Sequence, residues 1–304
     1  MTKNQEQKWL IILLKKTLKI LPPSTPVKIY RVISIFPFLK KIANRFIKMG
    51  IPRFLKIEEG KLELDQSDVA VSGSLALGSF EETEVNIFRE KLEAGMTVID
   101  IGANIGYYTI IAGKRIGVNG KVLAFEPEEN NFSLLSRNIA LNKLTNVTAL
   151  KIALTNKLGG ELLYLDDNNK GHHSLSSKNP ETEKKIKVRT NTLDGILENF
   201  GSPKVDIIKM DIEGAEVLVL EGMTKTIGKN PKLIIFTEFY PEAIKRLGYS
   251  PLKFLKNLMD SGFSLSEIDE NKKCLKKINN IEIFVSNFPK GESFTNLYAI
   301  RRVN

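Results

Sequence analysis

From residue 97 onward, short apolar runs alternate with amphipathic segments, the pattern of a largely parallel sheet flanked by helices. The β-branched residues Thr97, Val98 and Ile99 predict a strand that Asp100 closes. Two glycines, Gly102 and Gly106, then turn the chain into a helix starting at Tyr107. Further sheet strands are predicted at Lys121–Glu126, Val147–Ile152, Val205–Met210 and Leu233–Phe239, with Phe263–Ile268 and Leu297–Arg301 as a closing pair. A helix is expected over Asn130–Asn142. Glu161–Leu165 and Lys185–Thr190 read as an added hairpin joined by the polar loop Asp166–Glu183. Upstream, two short alternating runs between Leu62 and Leu77 predict a hairpin, followed by a helix over Glu81–Leu92. The chain has no internal repeat and no low-complexity segment.

The N-terminal stretch has a different character. Lys8–Leu21 winds as an amphipathic helix with Lys8, Lys15, Lys16 and Lys19 on one side and Leu10, Leu14, Leu18 and Leu21 on the other, until Pro22, Pro23 and Pro26 break it. Phe38–Lys48 repeats the pattern. Phe38, Leu39, Ile42, Phe46 and Ile47 form its apolar face, Lys40, Lys41, Arg45 and Lys48 its basic one, and Gly50 and Pro52 end it. Residues 1–55 carry twelve basic residues against Glu6, a balance of +11, so a chain of net charge +10 leaves −1 for residues 56–304. The expected organisation is a basic amphipathic extension, 1–55, and an α/β domain, 56–304. The extension has two readings: its apolar faces lie in a lipid interface, or they dock on the domain or a second subunit.

Composition narrows the setting. A chain of 304 residues, 42% hydrophobic and 26% charged, can bury a full core. The single cysteine, Cys274, excludes an internal disulfide and fits a reducing compartment. No apolar run reaches the roughly 20 residues a membrane-spanning helix needs, since Trp9–Leu14 is cut short by Lys15. No small-residue cleavage site follows that run, so a cytoplasmic protein is expected, with contact at the inner membrane face under the lipid reading.

The glycine turn carries the first chemistry. A loop at the carboxyl end of a parallel strand is where α/β sheets bind ligands, and glycines there let backbone approach a ligand closely. The spacing does not fit a dinucleotide fingerprint, because Asn104 and Tyr107 stand where its second and third glycines belong. A carboxylate at Asp100 suits a cationic ligand instead.

The pattern Asp100-x-Gly102-x-Asn104-x-Gly106-x-x-Thr109 resembles the first motif of class I S-adenosylmethionine-dependent methyltransferases, and specifically of the FkbM family. Phe125-Glu126-Pro127, Thr192-Leu193-Asp194, Val205 to Glu216 with its Asp211-x-Glu213-Gly214-x-Glu216 signature, and Glu238 follow in order, covering roughly residues 57–301. The resemblance implies a Rossmann-like α/β fold: a mostly parallel sheet, an antiparallel last strand and helices on both faces, here with an N-terminal helical extension. It implies S-adenosyl-L-methionine as cofactor. Glu126 would bind the ribose and Asp100 would lie beside the methionine moiety. Gly102 and Gly106 would give clearance, and Asn104 would either bind the amino-acid end or stabilise the turn.

Methyl transfer to a hydroxyl requires alignment and proton removal, which points to the carboxylates Asp211, Glu213 and Glu238. Glu216 either joins them or only opens the next helix, where an acid suits the dipole. His172 and His173 share a polar loop, and either one acts as a base or both are solvated; His173 is taken as the catalytic candidate. Asp211, Glu213 and Glu238 are oxygen donors suited to Mg²⁺, but metal-dependent O-methyltransferases carry an Asp-Asn pair after the fifth strand, whereas Phe239 follows Glu238 here, so no obligatory metal is expected. The expected function is O-methylation of a hydroxyl on a saccharide, glycolipid or polyketide-like acceptor. A nucleic-acid methyltransferase is the first alternative, supported by the basic arm. Against it, Asp211-Ile212-Glu213-Gly214 lacks the Pro-Pro-aromatic platform of base-amine methylases. A non-catalytic cofactor-binding module is the second alternative, and the intact motif argues against it.

Overall fold

The computed structural model describes residues 37–166, 173–177 and 184–301. The expected Lys8–Leu21 helix and His172 lie outside the described residues. The described chain opens with helix α1 (Pro37–Gly50) and an antiparallel hairpin of β1 (Phe54–Lys56) and β2 (Lys61–Glu63). Two short helices follow, α2 (Val71–Leu77) and α3 (Glu82–Lys91). The body then runs β3 (Thr97–Ile101), α4 (Tyr107–Arg115), β4 (Lys121–Phe125), α5 (Glu129–Leu141), β5 (Val147–Leu150), β6 (Ala153–Leu154), β7 (Gly159–Leu165) and β8 (Lys184–Asn191). It continues α6 (Leu193–Asn199), β9 (Ile207–Met210), α7 (Glu216–Glu221), α8 (Thr224–Lys229), β10 (Ile234–Phe239), α9 (Pro241–Arg246) and α10 (Pro251–Asp260). The last elements are β11 (Phe263–Asp269), β12 (Cys274–Lys277), α11 (Ile281–Ser286) and β13 (Thr295–Arg301).

Eight strands form the central sheet in the order β12-β11-β13-β10-β9-β3-β4-β5. From β5 to β10 the pairing is parallel, while β13 inserts antiparallel between β10 and β11. This is the expected Rossmann-like α/β sheet with an antiparallel last strand. Its central strands are apolar on both faces. Ile99, Ile101, Ile208 and Met210 pack with Val217, Leu220, Ile227 and Phe254 on one side. Val98, Val122, Ile207 and Phe236 pack with Val85, Phe88 and Ile111 on the other. Near-continuous hydrophobic runs in β3, β4 and β9 follow from that double burial.

The added hairpin is present as β7 and β8, joined by β6 into a three-stranded sheet. Two elements differ from expectation. The hairpin placed between Leu62 and Leu77 lies earlier, and Val71–Leu77 is helical. Asp68 decides this: its carboxylate accepts the N–H groups of Ala70 at 3.0 Å and Ser72 at 2.8 Å, satisfying donors that a helix start leaves open. Strand β12 was not expected because all four of its residues are exposed, so it lacks the alternation that marks a half-buried strand.

The boundary expected at residue 55 falls inside β1. Ile51 from this region shares one apolar cluster with Leu62, Ile105, Ile110 and Leu134. Two asparagines one helical turn apart, Asn138 on α5 and Asn142 at its C-cap, stitch the hairpin down. Asn138 bonds both backbone groups of Glu63, and Asn142 both of Lys61. The apolar face expected on α1 is also split. Ile47 packs against the domain, while Phe38, Ile42, Phe46 and Met49 are exposed. No helix among the described residues is long and apolar enough to cross a membrane.

Candidate functional site

Strand order reverses between β3 and β9, and a cleft of about 550 Å³, counted to its open mouth, lies beyond the carboxyl ends of the strands there. Gly102, Asn104, Glu126, Asn131, His173 and Asp211 contribute its polar wall. Ile101, Phe125, Ile152, Leu154, Leu163 and Leu175 contribute much of its apolar wall. The loop after β3 is fastened at both ends of this space. The N–H groups of Gly102 and Ala103 both donate to the Phe125 carbonyl at 2.9 Å, and that of Asp211 donates to Ile101 at 3.0 Å.

Glu126, 5% exposed, joins the loops across the cleft. One carboxylate oxygen accepts the Asn104 N–H and the other the Glu128 N–H, each at 2.9 Å. Burial, opposed by those two bonds, pushes its carboxyl up to about 7. Each oxygen keeps a second lone pair, so Glu126 has acceptor capacity left for a diol. Asn104 sits at φ +50°, and its side-chain oxygen accepts the Ile105 N–H at 2.8 Å. The turn-stabilising role weighed for it is therefore realised, and the residue also lines the cleft.

The two glycines serve the protein's own packing. A Cβ on Gly102, at φ +80°, would stand 2.1 Å from the Asp211 carbonyl oxygen. One on Gly106, at φ +93°, would stand 2.7 Å from Leu135 Cδ1. Asp100 is also placed away from the cleft lining. It alternates with Ile99 and Ile101, so its side chain meets α4, where Thr109 Oγ1 donates to it at 2.5 Å, and burial pushes its carboxyl up to about 6.

Asp100 belongs to a buried charged layer that the sequence reading missed. Lys209, 1% exposed, has its Nζ 3.0 Å from Glu84, 3.4 Å from Asp211 and 4.9 Å from the centre of the Tyr108 ring. Tyr108 donates to Glu81 at 2.8 Å, and Asn296 bonds both Glu81 and Glu84. Burial alone would lower the Lys209 ammonium, but Glu84, Asp211 and Glu81 hold it well above the ordinary lysine value. Burial raises both glutamates, Glu84 to about 8, because one ammonium cannot neutralise every carboxylate around it. The signal was visible: a lysine inside the apolar run Ile207-Ile208-Lys209-Met210 requires a buried partner.

Asp211, Glu213 and Glu238 come together as expected, with one carboxylate oxygen from each within 4.8 Å of the others. Glu213 and Gly214 take φ +56° and +96°, which folds the loop back over the end of β10. Gly214 has to be glycine because a Cβ there would stand 2.4 Å from that of Ala243. Glu238 is 3% exposed, and its Oε2 has no hydrogen-bond partner among the described residues. Burial, then the neighbouring Glu213, Asp211 and Glu216, pushes its carboxyl well above the usual range. Glu216 is the first residue of α7 and accepts the Ile212 N–H at 2.9 Å, which fits its helix-opening role, while its buried carboxylate also lies close enough to act on Glu238.

The loop between β7 and β8 reaches this site. Ser174 Oγ donates to the Glu213 carbonyl at 2.7 Å, and Ser176 Oγ donates to that of Ala243 at 3.1 Å. His173 lines the cleft, and its Nδ1 accepts the Asp166 N–H at 3.2 Å. The neutral ring then carries its hydrogen on Nε2 and is a donor there. Thr192-Leu193-Asp194 lies away from the cleft. Thr192 caps α6, and Asp194 accepts the N–H groups of Lys225 and Thr226 at the start of α8, each at 2.8 Å.

Residues 100–282, more than half of the chain, match the family described as Methyltransferase FkbM domain. The chain belongs to the FkbM methyltransferase family. Relatives include Methyltransferase sdnD of Sordaria araneosa, 29% identical over 49% of this chain and 68% of that protein. Hexuronic acid methyltransferase AglP of Haloferax volcanii is 29% identical over 48% of this chain, which spans 58% of AglP's length. The crystal structure of Methyltransferase FkbM from Methylobacillus flagellatus KT is similar over 86% of this chain and 60% of its own, at 15% identity and a TM-score of 0.41. As a FkbM protein, the chain is an S-adenosylmethionine-dependent methyltransferase. The cleft fits that cofactor chemically. A buried carboxylate with open lone pairs suits a ribose, apolar side chains suit a purine, and the acidic end at Asp211 suits a sulfonium.

Proposed function

We propose that the protein methylates a hydroxyl oxygen of a saccharide, glycolipid or polyketide-like acceptor. The observation that carries this reading is the group Asp211, Glu213 and Glu238, which meets the cleft at Asp211 and holds an unpartnered carboxylate oxygen on Glu238. S-adenosylmethionine supplies an electrophilic methyl group on a sulfonium. A hydroxyl attacking that carbon must shed its proton, and a carboxylate whose affinity for protons is raised by burial and by its neighbours is suited to take it. Glu126 and Asn104 would hold the ribose end, with Gly102 shaping the loop and Asp100 and Gly106 holding it in place. His173 would donate from Nε2 to orient the acceptor, leaving proton removal to the carboxylates. The name of AglP, a hexuronic acid methyltransferase, supports a saccharide. A carboxylate acceptor is disfavoured, because it would meet the acidic group as a like charge. A nucleic acid is disfavoured for the same reason.

The test uses methyl-labelled cofactor with the purified chain and a panel of hexoses, hexuronic acids and short RNAs. The reading expects label in an alkali-stable ether on a sugar. Label released by alkali as a methyl ester, or label confined to RNA, would reject it.

The basic extension has a second role in this proposal, contact with an anionic membrane surface. Exposed Phe38, Ile42, Phe46 and Met49 run along one side of α1, and exposed Lys41, Arg45 and Lys48 flank them. Basic amphipathic helices of this kind lie in lipid interfaces. The full chain should pellet with phosphatidylglycerol vesicles and lose that binding on joint F38E and F46E substitution. Equal pelleting by the double variant would refute the membrane role.

A further inference from the structure

We propose that Asp211, Glu213 and Glu238 form a binding site for one divalent cation of the oxygen-seeking class, Mg²⁺ or Mn²⁺, at the acceptor end of the cleft. Asp211 and Glu213 come from the loop after β9 and Glu238 from the end of β10. The folded chain thus gathers three carboxylates from two strand ends within 4.8 Å. Two oxygens on opposite sides of a divalent ion at about 2.1–2.4 Å are about 4.2–4.8 Å apart, so one ion spans this group without rearrangement of the strands.

An acidic cluster alone would not indicate a ligand. Glu238 supplies the independent observation, because its side chain is 3% exposed and its Oε2 is sealed from solvent with no hydrogen-bond partner among the described residues. A buried acceptor left unmade costs about 1–3 kcal/mol, more when charged, so such an atom calls for a cationic or protonic partner. Lys209 does not fill that role. Its Nζ is engaged by Glu84 at 3.0 Å and reaches Asp211 at 3.4 Å through Oδ2, leaving the other Asp211 oxygen for a different cation. Asp211 also lines the cleft, which gives an ion a route in from solvent. The absence of an Asp-Asn pair after β10 pointed away from a metal. The three oxygens assembled here do not need that pair.

The ion would keep several positions for water and for an incoming hydroxyl, whose proton it would make easier to remove. That consequence rests on the hydroxyl-acceptor reading, whereas binding of the ion does not. The experiment titrates chelator-treated full-length protein with MnCl₂ in the absence of cofactor. Free Mn²⁺ is followed by electron paramagnetic resonance, and S-adenosylmethionine binding is measured separately by calorimetry. One Mn²⁺ per chain is expected, displaced by excess Mg²⁺. Glu238→Gln should weaken it by at least about tenfold, the low end for disturbing a metal's surroundings, with cofactor affinity changed far less. Asp211→Asn, at a partly exposed position, should weaken Mn²⁺ binding by a similar factor, whatever it does to the cofactor, and keeps the test open if Glu238→Gln does not fold. No Mn²⁺ binding at millimolar metal, or binding that both variants leave unchanged, would overturn the site. Loss of cofactor binding in the wild-type chain would instead undermine the methyltransferase reading.

Discussion

Replacing Lys209 by Met probes the buried layer beneath the site with a neutral side chain of similar length. The ammonium lies 3.0 Å from Glu84 and 3.4 Å from Asp211, and its removal leaves Glu84 buried without its cation, with the half-buried Glu81 nearby. Breaking a buried pair from one side costs about 3–5 kcal/mol. At about 2–4 °C per kcal/mol for a large domain, the melting temperature should drop by roughly 10 °C near about pH 8.5, where Glu84 is ionised. The loss must depend on pH. Burial raises the folded-state carboxyl of Glu84 to about 8, above its unfolded value, so the folded chain holds extra protons between roughly pH 4.5 and 8. Its contribution to stability therefore falls as pH rises through that window. Without Lys209 the carboxyls hold their protons to still higher pH, and the variant's deficit should be small near about pH 5.5 and large near about pH 8.5. The double variant Lys209→Met with Glu84→Gln should recover most of the loss, since no carboxylate at position 84 then needs a cation. Scanning fluorimetry at the two pH values reads both effects. A deficit equal at both pH values, with no recovery in the double variant, would refute the reasoning.

Further outcomes follow from the same geometry. Gly102→Ala would force a Cβ to within 2.1 Å of the Asp211 carbonyl at φ +80°, so cofactor affinity should fall at least about tenfold by calorimetry. Because burial raises the Glu126 carboxyl to about 7, cofactor affinity should rise about tenfold between about pH 6 and pH 8 as the ribose-accepting carboxylate ionises, and Glu126→Gln should flatten that profile. Asn138→Ala removes side-chain bonds to Glu63 and Ile105 and should lower stability by about 1–3 kcal/mol in urea unfolding without changing cofactor affinity. His173→Ala should reduce kcat by less than the roughly 100-fold a lost general base typically costs, with the larger effect on KM.

What the sequence made legible has a physical pattern. Strands buried on both faces read as apolar runs, so Thr97–Ile101, Lys121–Phe125 and Ile234–Phe239 were placed to within a residue or two. The motif spacing brought Gly102, Asn104, Glu126 and Asp211 to one cleft. Local alternation misled at Val71–Leu77, where Asp68 caps a helix start, and was absent at exposed Cys274–Lys277. Alternation also puts Asp100 on the face opposite the cleft, which a motif read as a string does not convey. Glu81, Glu84 and Asn296 are distant in sequence from Lys209, so the charged layer exists only once β9, β13 and α3 pack together.

The central claim is that the cleft between the Gly102 loop and Glu126 holds S-adenosylmethionine for methyl transfer beside Asp211. Calorimetry of the cofactor on the full chain and on Glu126→Ala tests it most directly. One cofactor should bind per chain, and the variant should lose about 1.5–3 kcal/mol, the worth of hydrogen bonds to a charged acceptor, or roughly tenfold to 150-fold in Kd. Absence of binding to the wild-type chain, or equal affinity in the two proteins, would contradict it.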